Sequence, residues 1–162
     1  MNKKIVVLAV LLCSAGAAKS YSLGLGLQYG GLFYYGSYTS NVSFLVSTSK
    51  DIHFAFNYLY TNYGGGIGLT GDYWVFDPVL TRVGQGALKL FAGVGFFFDT
   101  NFDFNNLHLG GRIPVGLDLK FPKFDIFLQM APTWGLQFLP SPGLIGGSGF
   151  SGTGSIGARV WF

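Results

Sequence analysis

The sequence predicts an all-β protein: an eight-stranded, antiparallel, up-and-down transmembrane β-barrel preceded by a cleaved N-terminal signal peptide. Three observations lead there. Hydrophobic residues make up 49% of the 162 residues and charged residues only 10%, against about 25% charge in an average protein. Glu is absent and 26 residues are Gly, with 17 Phe and 9 Tyr, a composition that excludes a helical bundle on propensity. From Tyr21 onward apolar residues recur with period two, the spacing of strands.

The N-terminus is a separate element. Lys3 and Lys4 are followed by an apolar run over residues 5–12 and by small residues ending in Ala17 and Ala18, the three regions of a secretory signal peptide. The run is too short for a transmembrane helix, which needs about 20 residues. Cleavage is expected after Ala17, so that residues 1–17 are the signal and 18–162 the barrel. Cys13, the one cysteine, leaves with the signal; Leu12 before it departs from the small residue that a lipoprotein site wants. Without Lys3 and Lys4 eight basic residues remain against seven acids, so the net charge is no argument for nucleic acid.

Eight alternating segments follow. Leu23, Leu25, Leu27 and Tyr29 share one face, as do Val42, Phe44 and Val46, then Ile52, Phe54, Phe56, Tyr58 and Tyr60, then Ile67, Leu69, Tyr73 and Val75. In the second half Leu88 to Phe98, Leu107 to Leu119, Ile126 to Leu136, and Ile156, Val160 and Phe162 repeat the pattern. The opposite face carries Gly24, Gly26, Ser43, Ser47, Asn57, Gly93, Gly95, Gly110, Gly116, Ser155 and Gly157, which suits a crowded interior. Seven charges inside strands, Asp72, Lys89, Arg112, Asp118, Lys120, Asp125 and Arg159, fall on this small-residue face and none on the apolar one. An Arg or Lys facing lipid at the midplane costs about 2–4 kcal/mol, so the apolar face is read as the outer one.

In hydrocarbon an open sheet would leave two edges of unpaired backbone groups, so the sheet must close. About 145 residues of mature chain give about 18 per strand and connection for eight strands; sixteen would leave fewer than the 9–11 that one spanning strand needs. With both termini periplasmic, as in even-numbered bacterial barrels, the outer loops fall at 30–38, 63–66, 99–106 and 139–149, and the inner turns at 49–51, 77–86 and 122–124. Tyr29, Tyr34, Tyr35, Tyr38, Tyr58, Tyr60, Tyr63 and Trp134 gather at the outer rim, and Tyr21, Phe121, Phe124 and Phe162 at the inner one, as two interfacial girdles. Pro114 and Pro132 lie inside strands, where each removes a ladder donor, so bulges or local fraying are expected there.

The chain resembles the small eight-stranded outer-membrane barrels of the OmpA/OmpX type over residues 21–162. The most specific feature is the end, Ser155-Ile156-Gly157-Ala158-Arg159-Val160-Trp161-Phe162, which is similar to the C-terminal assembly signal of such barrels, with Phe162 as its terminal aromatic. The stretches Gly111-Arg112-Ile113-Pro114-Val115-Gly116 and Ala131-Pro132-Thr133-Trp134-Gly135-Leu136 are similar to segments of small spirochaetal barrel proteins. The resemblance implies a place in the bacterial outer membrane, contact with its lipid and with the barrel-insertion machinery, and a family whose members are often adhesive; it carries over no catalytic residue.

Other motifs have plainer accounts. Residues 147–152 and 152–157 both spell G-x-G-x-x-G, but the dinucleotide fingerprint needs a following helix and a later acid; the glycines are read as loop and barrel packing. Residues 99–105 repeat oxygen ligands as the start of a calcium loop does, yet Phe104 stands where the turn Gly belongs, and a solvated loop tip is the preferred account. His53 and His108, placed at opposite ends, are too far apart to share a metal. Asn41-Val42-Ser43 spells a glycosylation sequon inside a strand and is set aside.

The interior charges suggest salt bridges: Lys89 with Asp118, Asp125 with Lys120 or Arg159, and Asp72 with Arg112, since buried charges persist when paired. With Leu45, Leu59, Trp74, Phe91, Phe97, Phe127 and Trp161 they would fill the lumen. The function this predicts is non-enzymatic: surface binding, adhesion or envelope structure through the outer loops, toward an extracellular ligand or host protein, with no cofactor, metal or nucleic acid. The alternative is a narrow outer-membrane channel for small hydrophobic molecules. A third reading, an enzyme with His108 as base and Ser151 among several candidate nucleophiles, has no Glu to draw on.

Overall fold

The computed structural model describes residues 23–34, 37–61, 64–139, 141–145 and 151–162. The proposed signal peptide, Tyr21, the side chains of Tyr34, Tyr35, Tyr38 and Tyr63, and most of the first glycine motif lie outside them. The described chain is all-β, an antiparallel sheet of 11 strand segments: β1 (Gly24–Tyr34), β2 (Ser37–Ser47), β3 (Ile52–Thr61), β4 (Gly64–Phe76), β5 (Val79–Val83), β6 (Gly86–Asn101), β7 (Leu107–Arg112), β8 (Val115–Lys120), β9 (Phe124–Leu139), β10 (Gly143–Ile145) and β11 (Ser151–Trp161).

These segments occupy eight positions around a ring. Pairing runs β1–β2–β3–β4–β6, continues to β7 and β8, which lie end to end between β6 and β9, and then passes through β11 back to β1. The return pairing of β11 with β1, from Gly24↔Trp161 to Tyr34↔Ser151, leaves the ring no edge. The two extra segments are short hairpin partners: β5 pairs the start of β6 and β10 the end of β9.

The surfaces are inverted relative to a water-soluble protein. Large apolar side chains stand exposed around the wall, among them Leu27, Phe44, Phe56, Val94, Leu128 and Ile156, while Asp72, Arg112, Asp118, Asp125 and Arg159 are buried inside. Strand alternation forces this separation, because successive side chains point to opposite faces. Each bulky interior side chain meets a glycine across the strand boundary: Trp74 faces Gly93, Phe91 faces Gly116, Phe97 faces Gly110, Phe127 faces Gly157 and Trp161 faces Gly24. A Cβ at Gly116 would stand 2.6 Å from the Phe91 ring, and one at Gly157 would stand 2.5 Å from Phe127. Those glycines are the space the rings occupy.

The connections differ from expectation. Pairing continues to Tyr34↔Ser37 and Thr61↔Gly64, so the first two outer loops are shorter than 30–38 and 63–66. The expected inner turn at 77–86 is mostly the β5–β6 hairpin, closed at Gly84 with φ +59°. The period-two pattern fails there because Val79, Leu80 and Val83 are all exposed.

The prolines produce no register slip. Arg112↔Thr133 above and Val115↔Met130 below keep one register across them. Ile113 N–H still donates to Pro132 O at 3.0 Å and Gly93 N–H to Pro114 O at 2.9 Å. Each proline therefore removes one bond of a reciprocal pair and leaves the other, which interrupts the strand into β7 and β8 without a bulge. The irregularities lie instead between Trp74 and Phe76, Val79 and Thr81, and Leu107 and His108. Because an edgeless ladder opens only as a whole, the protein should run on a detergent gel as a compact species whose mobility changes on boiling. Recovery as a soluble monomer without detergent would contradict the inverted wall.

Candidate functional site

The lumen divides into three levels. Nearest the chain termini, Arg159 of β11 sits almost fully buried. Its Nε donates to Asp125 Oδ1 at 2.8 Å, one terminal nitrogen donates to His53 Nδ1 at 2.6 Å, and the other lies 4.0 Å from Asp118 Oδ1. The guanidinium also stands 4.8 Å from the Trp74 ring centre and 4.7 Å from that of Phe127. A planar cation can use its edge on carboxylates and its faces on rings at once, which Lys could not do. The cluster is tightened by its neighbours: Trp161 Nε1 donates to Asp125 Oδ2 at 2.6 Å, Ser47 Oγ lies 2.8 Å from His53 Nδ1, and Trp74 stacks on Phe91 with centroids 3.7 Å apart. Since Arg159 only donates, His53 Nδ1 is its acceptor.

At mid-height Arg112 Nε lies 3.2 Å from Asp72 Oδ1, both groups buried. Above it Ser43 Oγ donates to Asn57 Oδ1 at 2.6 Å. The free volume at these two levels is about 20 Å³ beside Arg159 and about 30 Å³ beside Arg112, each near the room of a single water.

The third level, at the end that carries residues 102–106, opens into a cup of about 470 Å³. Its walls come from Leu32, Leu59, Phe97, Phe102 and Ile145, and its polar groups include Asp99, Asp103, Asn106 and His108. His108 Nδ1 and Asp99 Oδ1 are 2.7 Å apart. The adjoining turn is bound in place: Asn101 Oδ1 accepts from the amides of Asn105 and Asn106 at 2.8 and 3.0 Å, Thr100 Oγ1 donates to Asn106 O at 2.7 Å, and Phe102 N–H donates to Gly65 O at 3.1 Å. Phe104 pays for this turn with a left-handed φ of 53°.

Of the seven expected interior charges, Asp72, Arg112, Asp118, Asp125 and Arg159 are buried, and Lys89 and Lys120 are half-buried. Two expected pairs form, Asp72 with Arg112 and Asp125 with Arg159. Lys89 differs: although it stands opposite Asp118 in the register, its ammonium bonds Asp77. Asp118 turns to Arg159, and Lys120 lies over the Trp161 ring at 4.4 Å. Phe162 is exposed at the end of β11, its amide donating to Leu23 O at 2.9 Å. Sequence reasoning placed neither His53 nor Asp77 among the partners of the interior cations and did not foresee the cup. Ser151 Oγ lies 2.9 Å from Thr133 Oγ1, and among the described residues no cluster of His, Cys and acidic groups suits a metal ion.

Arg159 holds two buried carboxylates, so Arg159→Met should lower stability by about 3–5 kcal/mol, the loss typical of a broken buried pair. Adding Asp125→Asn should restore part of it; urea unfolding in micelles measures both. With constrictions this narrow, the wild type in a planar bilayer should pass no steady current, and large stable single-channel steps would contradict the filled lumen.

No protein-family model and no curated protein matches the sequence. Solved structures do match. Neisserial surface protein A superposes with a TM-score of 0.50 at 16% identity, over 88% of this chain and 97% of that one. The N-terminal β-barrel domain of Pseudomonas aeruginosa OprF gives 0.48 at 14% identity, over 88% and 100%. A de novo designed transmembrane β-barrel gives 0.49 at 12% identity, over 90% and 98%. At 16% identity the likeness to neisserial surface protein A is one of architecture, and it agrees with the closed pairing and the inverted wall: this chain has the fold of a small transmembrane β-barrel.

Proposed function

We propose that this protein is a non-enzymatic barrel of the bacterial outer membrane that acts in surface binding, adhesion or envelope structure through the end bearing residues 99–106. The observation that carries the reading is the contrast between ends of one lumen. The level around Arg159 is closed by ion pairs and stacked rings, whereas the opposite end is an open cup beside a turn held by its own hydrogen bonds. A plugged wall that presents a prefolded loop is suited to contact rather than passage. The likeness to a neisserial surface protein supports a surface role of this kind.

The lipid of the outer membrane then covers the apolar wall, and the barrel-insertion machinery receives the chain at Phe162. Two measurements test the reading. In a Cys13→Ser background, Asn105→Cys should react with an impermeant maleimide on intact cells, and Lys123→Cys should react only after the cells are opened; the reverse result inverts the orientation. Deleting Phe162 should reduce assembled barrel in membranes far more than changing Phe138, and equal assembly would remove Phe162 from the assembly step.

A further inference from the structure

The cup has a chemistry of its own. Its volume, about 470 Å³, falls in the range of small-molecule sites, about 300–1,000 Å³, and it ends blind above a throat of about 30 Å³. Among the described residues no Lys or Arg borders it, whereas Asp99 and Asp103 do. With His108 neutral or protonated, the cup keeps a net negative charge. The rest of the lining is largely apolar, with Phe97 and Phe102 supplying ring faces that attract a cation. Asp99 alone among the acids borders both the cup and the throat, where Asn41 Oδ1, nine-tenths buried, accepts no hydrogen bond within the protein. Arg112 also reaches the throat, but its charge is met by Asp72 at 3.2 Å.

We propose that the outer mouth is a binding site for a small amphipathic primary amine, its ammonium held at Asp99 and its apolar body lying against Leu59, Phe97 and Phe102. The turn that carries Asp103 is already fastened to Asn101 and Gly65, so binding requires little ordering of the wall. An anionic or neutral molecule of the same shape gains nothing from Asp99 and Asp103. The proposal names a ligand class for the surface-binding reading and rests on that reading only for the side from which the ligand arrives.

Amide NMR of the full mature chain in detergent micelles, titrated with phenethylammonium, tests it. Saturable shifts should be confined to Leu59 and residues 64–66 and 97–108, and phenylacetate and propylbenzene should produce none there. Asp99→Asn, which keeps an acceptor for His108, should weaken binding about tenfold, and Asp103→Asn, on the exposed turn, about threefold. Leu59→Trp should abolish it by filling the cup. Absence of saturable shifts in the wild type, equal binding of phenylacetate, or unchanged affinity in both Asp variants would overturn the proposal. Binding in micelles together with a failed maleimide reaction at Asn105→Cys on intact cells would leave the amine site standing and sink the surface role.

Discussion

The width of an eight-stranded ring governs this molecule. Such a ring encloses just enough space for its own inward side chains, so every large residue placed inside requires a nearly empty position beside it. The pairing of Trp74, Phe91, Phe97, Phe127 and Trp161 with glycines meets that requirement, and Arg159 and Arg112 follow the same rule opposite Gly26 and Gly95. The high glycine content therefore belongs in good part to the wall, where it sets how much ring and guanidinium the lumen can hold.

Within that space electrostatics decides the contents of each level. A charge on the outer face would cost several kcal/mol in lipid, and a charge inside must be matched because little water reaches it. Arg159 resolves the conflict by serving two carboxylates, His53 and two ring faces from one planar group. Where no such hub is present, around Leu59 and Phe97, the lumen widens into the cup. Closure at one end and openness at the other thus come from the placement of aromatic and charged side chains along a wall of constant strand number.

The wall was legible in the sequence because its two faces differ so sharply: apolar residues at every second position, and seven charges all on the other parity. That parity identified the lumen residues before any pairing was known, and it put Asp72 and Arg112 on one face, where they meet across Gly95 of the strand between them. What parity cannot supply is height and reach. Lys89 and Asp118 share a register position, yet a long ammonium stem bends to Asp77, which the pattern had assigned to a turn. His53 looked like a rim residue because it begins an alternating segment, and only the closed ring brings it against Arg159, 106 positions away. The cup left no signature, since its lining is drawn from nine strand segments and a turn whose individual residues are ordinary.

The uneven distribution of charge along the barrel also bears on how it enters a bilayer. The segments at 30–38, 61–66, 99–109 and 137–151 contain no Lys or Arg, whereas Lys50, Arg82, Lys89, Lys120 and Lys123 all belong to the opposite end. If the loop end leads, the portion of chain dragged through hydrocarbon carries only Asp99, Asp103 and His108, and the cations, costlier than acids at the bilayer centre, never leave the side on which they began. The finished barrel is then anchored against reversal by the same residues, because turning over would carry five cations through the lipid.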